Sequence, residues 1–278
     1  MSRSARALRP MIGAVLVGCA AACAGAADGP DDPTRTNAAS DSGWVAIFNG
    51  HDLTGWTPKI RGRPLGEDPQ RTFRVEEGLL TVSYDGYDDF GARFGHLFYE
   101  RPLSHYDLRV EYRFVGSQAP RGEAWALKNS GVMLHAQSPE SMLVEQDFPI
   151  SLEAQLLGGT GEGERPTANL CTPGTEVDID GARATTHCIE SASATYHGEE
   201  WVTVDLVVRG DRMIAHVVGG DTVMAFTRPE IGGGVVSGYD PAVKLDGTPI
   251  TRGWIALQSE SHPIQFRRVL LREVDPGT

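Results

Sequence analysis

Beyond residue 42 the chain is written in strand-length units, and no segment shows an apolar stripe at helical spacing closed by helix caps. The segment Ser151-Leu152-Glu153-Ala154-Gln155-Leu156-Leu157 alternates, and side chains two apart on a strand share a face. Leu152, Ala154 and Leu156 therefore turn into a core, and Glu153 and Gln155 turn away from it. Residues 129–135 behave alike: with Val132 and Leu134 inward, Asn129, Met133 and His135 lie opposite. Near the C-terminus, inward Ile255 and Leu257 leave Trp254, Gln258 and Glu260 on the polar face, with His262 at the strand end beside Pro263. Further strands are read at 44–48, 96–99, 107–114, 201–208, 213–218, 222–226 and 264–274, and a hairpin at 73–83 turns on Glu77-Gly78. Residues 161–195, rich in Gly, Thr and Pro, read as an inserted loop, and 232–245 as a glycine-rich one. Strands at short intervals without long helices predict an all-β chain, a jelly-roll β-sandwich of two antiparallel sheets over residues 43–275.

The N-terminus reads as a targeting segment. Arg3, Arg6 and Arg9 precede a short apolar run ending in Gly18-Cys19, the pattern of a secretory signal over residues 1–18. Leu16-Val17-Gly18-Cys19 resembles a bacterial lipobox, which makes Cys19 the lipidated first residue of the mature chain. A cut before Cys23, or plain secretion, is the alternative. Residues 19–42 are small, polar and rich in Pro and Gly, a flexible tether. The expected location is the bacterial cell envelope, periplasmic or surface-exposed, with the membrane touched only through the lipid anchor. Cys171 and Cys188 remain in the folded region, an even pair in an exported chain, and are expected to form a disulfide.

Formal net charge is −12, and loss of the signal's three arginines takes it to about −15. So acidic a chain is a poor partner for nucleic acid or any anionic polymer. Neutral sugars fit the polar face better, since aromatic rings stack on a pyranose and fork-like amides and carboxylates bind its hydroxyls. The plainer alternative is that these residues decorate the wet side of an antiparallel sheet. No cofactor motif is present. The proximity of Glu145, Asp147 and Glu153 leaves a divalent cation open, but the spacing matches no metal motif.

Three stretches together resemble one family. Ile47-Phe48-Asn49-Gly50-His51-Asp52-Leu53-Thr54-Gly55-Trp56 is similar to the "FNGKDLTGW" opening of the DUF1080 family, also described as 3-keto-disaccharide hydrolases. Asn129-Ser130-Gly131 followed by Glu153-Ala154-Gln155 resembles its "NSG" and "E-x-Q" strands. Gly253-Trp254-Ile255-Ala256-Leu257-Gln258 leading into Phe266-Arg267 resembles its closing motif, although Ser259-Glu260-Ser261-His262-Pro263 stands where a His-Gly pair is common. The resemblance spans residues 44–274. It implies a concanavalin A-like jelly roll acting on glycosides already oxidised at C3.

A ketone at C3 acidifies the C2 proton, so a base can remove it and the glycosidic bond can leave by β-elimination, with water then adding back. On this reading Glu153 or His135 is the base, and Lys128, Asn129 or Arg267 donate to the enolate oxygen. Gln155, Gln258 and Glu260 hold hydroxyls, His96 and His262 are alternative acids, and Trp254 offers a stacking face. Arg267 reads equally well as a structural arginine at a sheet edge. Glu153 and Glu260 could also serve as an ordinary glycosidase pair. A non-catalytic carbohydrate-binding lipoprotein with a lectin-like jelly roll is the rival function, and a structural envelope protein the third. The binding module requires Trp56, Trp254, Tyr99 or Trp125 on an open face, whereas an enzyme requires Glu153 in a pocket with a shifted pKa.

Overall fold

A computed structural model describes residues 43–277. The signal segment, Cys19 and the tether lie outside the described residues. In chain order the strands are β1 (Val45–Ala46), β2 (Trp56–Ile60), β3 (Phe73–Glu76), β4 (Leu79–Val82), β5 (Gly95–Tyr99), β6 (His105–Phe114), β7 (Asn129–Ala136) and β8 (Leu152–Leu157). There follow β9 (Asn169–Cys171), β10 (Thr175–Ile179), β11 (Ala182–Arg183), β12 (Cys188–Ile189), β13 (Val202–Arg209), β14 (Ile214–Val218), β15 (Asp221–Ile231), β16 (Trp254–Ser259) and β17 (Ile264–Glu273). Two short 3-10 turns, Ala124–Ala126 and Pro139–Ser141, are the helical elements among the described residues.

These strands form two antiparallel sheets, as the alternation predicts. A ten-stranded sheet runs β11-β10-β15-β14-β13-β6-β17-β4-β3, with β1 also paired to β17. A seven-stranded sheet runs β12-β9-β8-β7-β16-β5-β2. The inward residues of both, among them Leu108, Val110, Val132, Leu134, Leu152, Ala154, Leu206, Ile255, Leu257 and Phe266, make one apolar core. Each Val, Leu, Ile or Phe among them contributes roughly 1.5–3 kcal/mol by leaving water. The jelly-roll sandwich is therefore dictated by period-two patterning on both partner sheets.

Three local expectations need correction. The first strand shrinks to Val45–Ala46. Residues 161–195 are not a plain inserted loop, because β9 and β12 edge the seven-stranded sheet while β10 and β11 edge the other. Cys188 stands directly across from Cys171, and the two are joined in the expected disulfide.

The third concerns β-bulges. Opposite β16, Trp254 pairs with Ala136 but Ala256 pairs with Met133, so β7 carries an extra residue. His135 sits in that bulge with φ of 48°, and Ala136 joins the outward apolar residues where alternation assigns His135. A second bulge, between Phe266 and Arg268 on β17, leaves Arg267 and Arg268 both exposed.

Candidate active site

The face of the seven-stranded sheet turned from the core carries two rows. In one, Asn169, Gln155 and Gly131 lie side by side on β9, β8 and β7, and Gln258, His96 and Lys59 do so on β16, β5 and β2. In the other, Cys171, Glu153, Met133, Ala256 and Phe98 are successive neighbours. Met133, Ala256 and Phe98 belong to an apolar cluster with Ala136 and Met142, so Glu153 stands at the end of a greasy row. Its carboxyl escapes sideways over Gly131. A Cβ placed at Gly131 would lie 2.7 Å from Glu153 Cγ and 2.9 Å from Cδ, and closer still to Oε1. The glycine of the Asn129-Ser130-Gly131 motif is thus the berth of the Glu153 carboxyl.

Above this berth is a cavity of about 330 Å³, at the small end of ligand pockets. Asn129, Glu153, Gln155 and Glu260 supply its acids and amides. Trp125, Phe148, Pro173, Val235 and the Cys171–Cys188 bridge wall it, with His187 beside them. Glu153 and Glu260 are both buried. Desolvation pushes the Glu153 carboxyl up to about 8 from its ordinary 4.5. Glu260 is driven well above the usual carboxylate range, first by burial and then by the charge of Glu153. Two such acids share protons rather than both ionising near neutrality. Glu260 Oε2 has no protein hydrogen-bond partner among the described residues, nor has Asn129 Oδ1. Both await a ligand's hydroxyl or a water.

Orientation of the amides comes from the cysteine-bracketed segment. Ser191 N–H donates to Asn169 Oδ1 at 2.9 Å, and Asn169 Nδ2 donates to Gln155 Oε1 at 3.1 Å. That chain leaves the Gln155 NH2 as a donor.

Of the residues anticipated from sequence, Glu153, Gln155, Asn129 and Glu260 meet in the cavity. His135 does not. Its Nε2 lies 3.1 Å from the carbonyl of Gly210, at the β13–β14 turn of the other sheet, and its ring stands edge-on to Tyr106. The bulge turned it there. It lines a second pocket together with Trp254, so neither ring borders the carboxyl pair. Arg267 lies on the far side of the ten-stranded sheet, where Nε donates to Glu111 at 2.6 Å and the guanidinium covers Trp201 at 4.7 Å. It is a structural arginine. Lys128 spends its ammonium on the carbonyl of Gly159 at 3.1 Å. Gln258 and His96 are neighbours buried in the sheet, with none of their side-chain nitrogens or oxygens partnered among the described residues. Burial, then the Lys59 charge, pushes His96 down to about 3, and burial, then Lys128 and Arg165, pushes His262 down to about 4. Both are neutral near pH 7 and cannot supply the acid's proton. Asp147 gives its carboxylate to the backbone of Phe148 and to the backbone and hydroxyl of Ser237.

Sequence reasoning named Gly131 within a motif without giving it a role, and missed Asn169, Ser191, Phe148 and Val235. Asn169 follows from alternation once Leu170 is known to face the core, but β9 is only three residues long, too short to read.

A buried acid pair with two amide donors, set on the outer face of a jelly-roll sandwich, is equipped for acid–base chemistry on a hydroxyl-rich molecule. The chain belongs to the 3-keto-alpha-glucoside-1,2-lyase-like domain family, whose model matches residues 43–272. No curated protein matches it significantly by sequence. Among solved structures, two candidate glycosyl hydrolases from Parabacteroides distasonis are similar in chain path. One is 15% identical over 83% of this chain and 99% of its own, with TM-score 0.49. The other is 18% identical over 84% and 94%, with TM-score 0.48. The carbohydrate-binding module CBM66 of Bacillus subtilis is 9% identical over 83% and 96%, with TM-score 0.41.

Proposed function

We propose that this chain cleaves 3-keto-glycosides by elimination and hydration in the Glu153–Glu260 cavity. The observation that carries the reading is the pair of buried carboxyls lining one cavity, Glu153 at the end of an apolar row, both with raised pKa values. Glu153, in its ionised form, takes the C2 proton, activated by the C3 ketone. The electron pair moves to the C1–C2 bond as the C1–O bond breaks, and Glu260 gives its proton to the departing oxygen. Asn129 and Gln155 donate to the oxygen that carries enolate charge. Water then adds at C1 and a proton returns to C2, so the sum is hydrolysis.

The placement of the aromatic residues favours this over a lectin-like module. Trp56 is buried with its indole N–H on the Ile47 carbonyl at 2.7 Å, and Tyr99 is buried against it. Trp254 belongs to the second pocket. Of these rings only Trp125 is exposed, and it lines the same cavity as the carboxyl pair. The lipobox at Cys19 supports a lipid-anchored location in the envelope, where exported glycosides would be met.

The test is incubation of the full chain with a 3-keto-glucoside and with its unoxidised parent. Release of the leaving alcohol from the ketone alone, lost in Glu153→Gln, is the expected result. Cleavage of the parent would point to direct displacement instead. Calorimetric binding without any cleavage would favour the non-catalytic carbohydrate-binding reading.

A further inference from the structure

The walls and the floor of the cavity differ in chemistry. Its acids and amides lie on the strands or just beyond the end of β16, whereas its other side chains are apolar apart from His187. Trp125, in the 3-10 turn before β7, is 52% exposed although its ring stacks on Phe94 at 6.0 Å and 20°. Phe94 in turn rests on Phe148 at 4.8 Å, so the indole is held on a fixed aromatic base. Val235 is 56% exposed and has φ of 57°, a conformation that β-branched residues rarely adopt. A large apolar side chain held strained and in water at a cavity mouth is one waiting for a ligand.

From this we infer that the departing half of the substrate is an apolar alcohol, aryl or alicyclic, held between Trp125 and Val235. The inference rests on the glycoside reading above and specifies its leaving group. A second sugar would bring several hydroxyls against Phe148, Pro173, Val235 and the disulfide, which return no hydrogen bond, with only the Trp125 indole N–H and the His187 imidazole among the wall side chains to answer them. A charged leaving group fares no better. The lining holds no lysine or arginine, both its acids are pushed toward neutrality, and burial holds the His187 imidazole below its usual range. An apolar ring meets instead the Trp125 indole and the Val235 methyls, which line the same cavity.

The experiment compares the full chain on three 3-keto-glucosides with leaving alcohols of similar acidity: cyclohexylmethanol, methanol and the 6-hydroxyl of glucose. Native protein is expected to favour the cyclohexylmethyl glycoside in kcat/KM by about tenfold or more over the disaccharide. In Trp125→Ala that ratio should fall about tenfold, chiefly through KM, with Trp125→Phe restoring part of it. Val235→Asn, which tolerates a positive φ, should lower the same ratio without the backbone strain. Equal or better use of the disaccharide, or a ratio indifferent to Trp125, overturns the proposal. Absence of turnover on all three sinks the glycoside reading instead. In that case calorimetry with unoxidised cyclohexylmethyl glucoside decides the mouth: binding weakened in Trp125→Ala upholds the apolar seat, and binding no tighter than that of a glucose disaccharide removes it.

Discussion

The carboxyl of Glu153 lies where a side chain on Gly131 would be. Gly131 is on β7 and faces Gln155, the second polar residue of β8, so one missing side chain makes room for the acid beside an amide donor. Gly131→Ala should displace the carboxyl, cutting kcat by at least tenfold and destabilising by about 1–3 kcal/mol through overpacking. Steady-state kinetics and urea unfolding check this; an alanine variant with native kcat would show that the berth does not matter.

Stability should depend on pH through the same acid. With Glu153 raised to about 8 from 4.5, the folded chain keeps a proton that the unfolded chain releases. Stability therefore falls as pH rises from about 4.5 to about 8. Glu153→Gln removes the Glu153 share of this dependence and leaves that of Glu260, so its advantage over the native chain should grow across that window, at up to roughly 1.4 kcal/mol per pH unit. Below the window the two should match. Denaturant midpoints measured from pH 4 to 8.5 would expose the opposite case as two parallel curves.

Removing the bridge should damage wall and fold together. Cys171→Ser with Cys188→Ser frees a 17-residue separation and should cost about 3 kcal/mol on loop-entropy grounds. Because Cys171 is the neighbour of Glu153, kcat/KM should drop as well. Thermal melts and kinetics, repeated with the native chain under dithiothreitol, give the comparison; unaltered kinetics in both would make the bridge a mere staple.

Arg267→Ala should separate stability from activity. It breaks the Glu111 ion pair and uncovers Trp201 on the far sheet, so a loss of up to about 1 kcal/mol is expected with kcat/KM unchanged. A large kinetic defect would restore the enolate-donor role.

What was legible in the sequence followed from period two. Leu152, Ala154 and Leu156 fix one face of β8, and Glu153 and Gln155 follow without knowledge of any partner strand. His135 was misplaced, and Arg267 was left between two readings, because each lies at a bulge, and a bulge is set by pairing with a distant strand. Before pairing, nothing local distinguishes His135 from the regular continuation of Asn129 and Met133. Trp125 and Val235 lie in irregular segments, where alternation gives no direction at all. The use of Gly131 emerges only when β8 is laid beside β7.

The burial of the Glu153–Glu260 pair also fixes the fate of an atom. Elimination leaves Glu153 protonated and Glu260 ionised, and hydration reverses both, with Glu260 drawing a proton from water and Glu153 returning one to C2. Glu153 is almost wholly buried, so the proton it holds between the two steps is screened from bulk water. The hydrogen restored to C2 is then the hydrogen removed, and sugar released in heavy water should keep protium at that carbon through the first turnover.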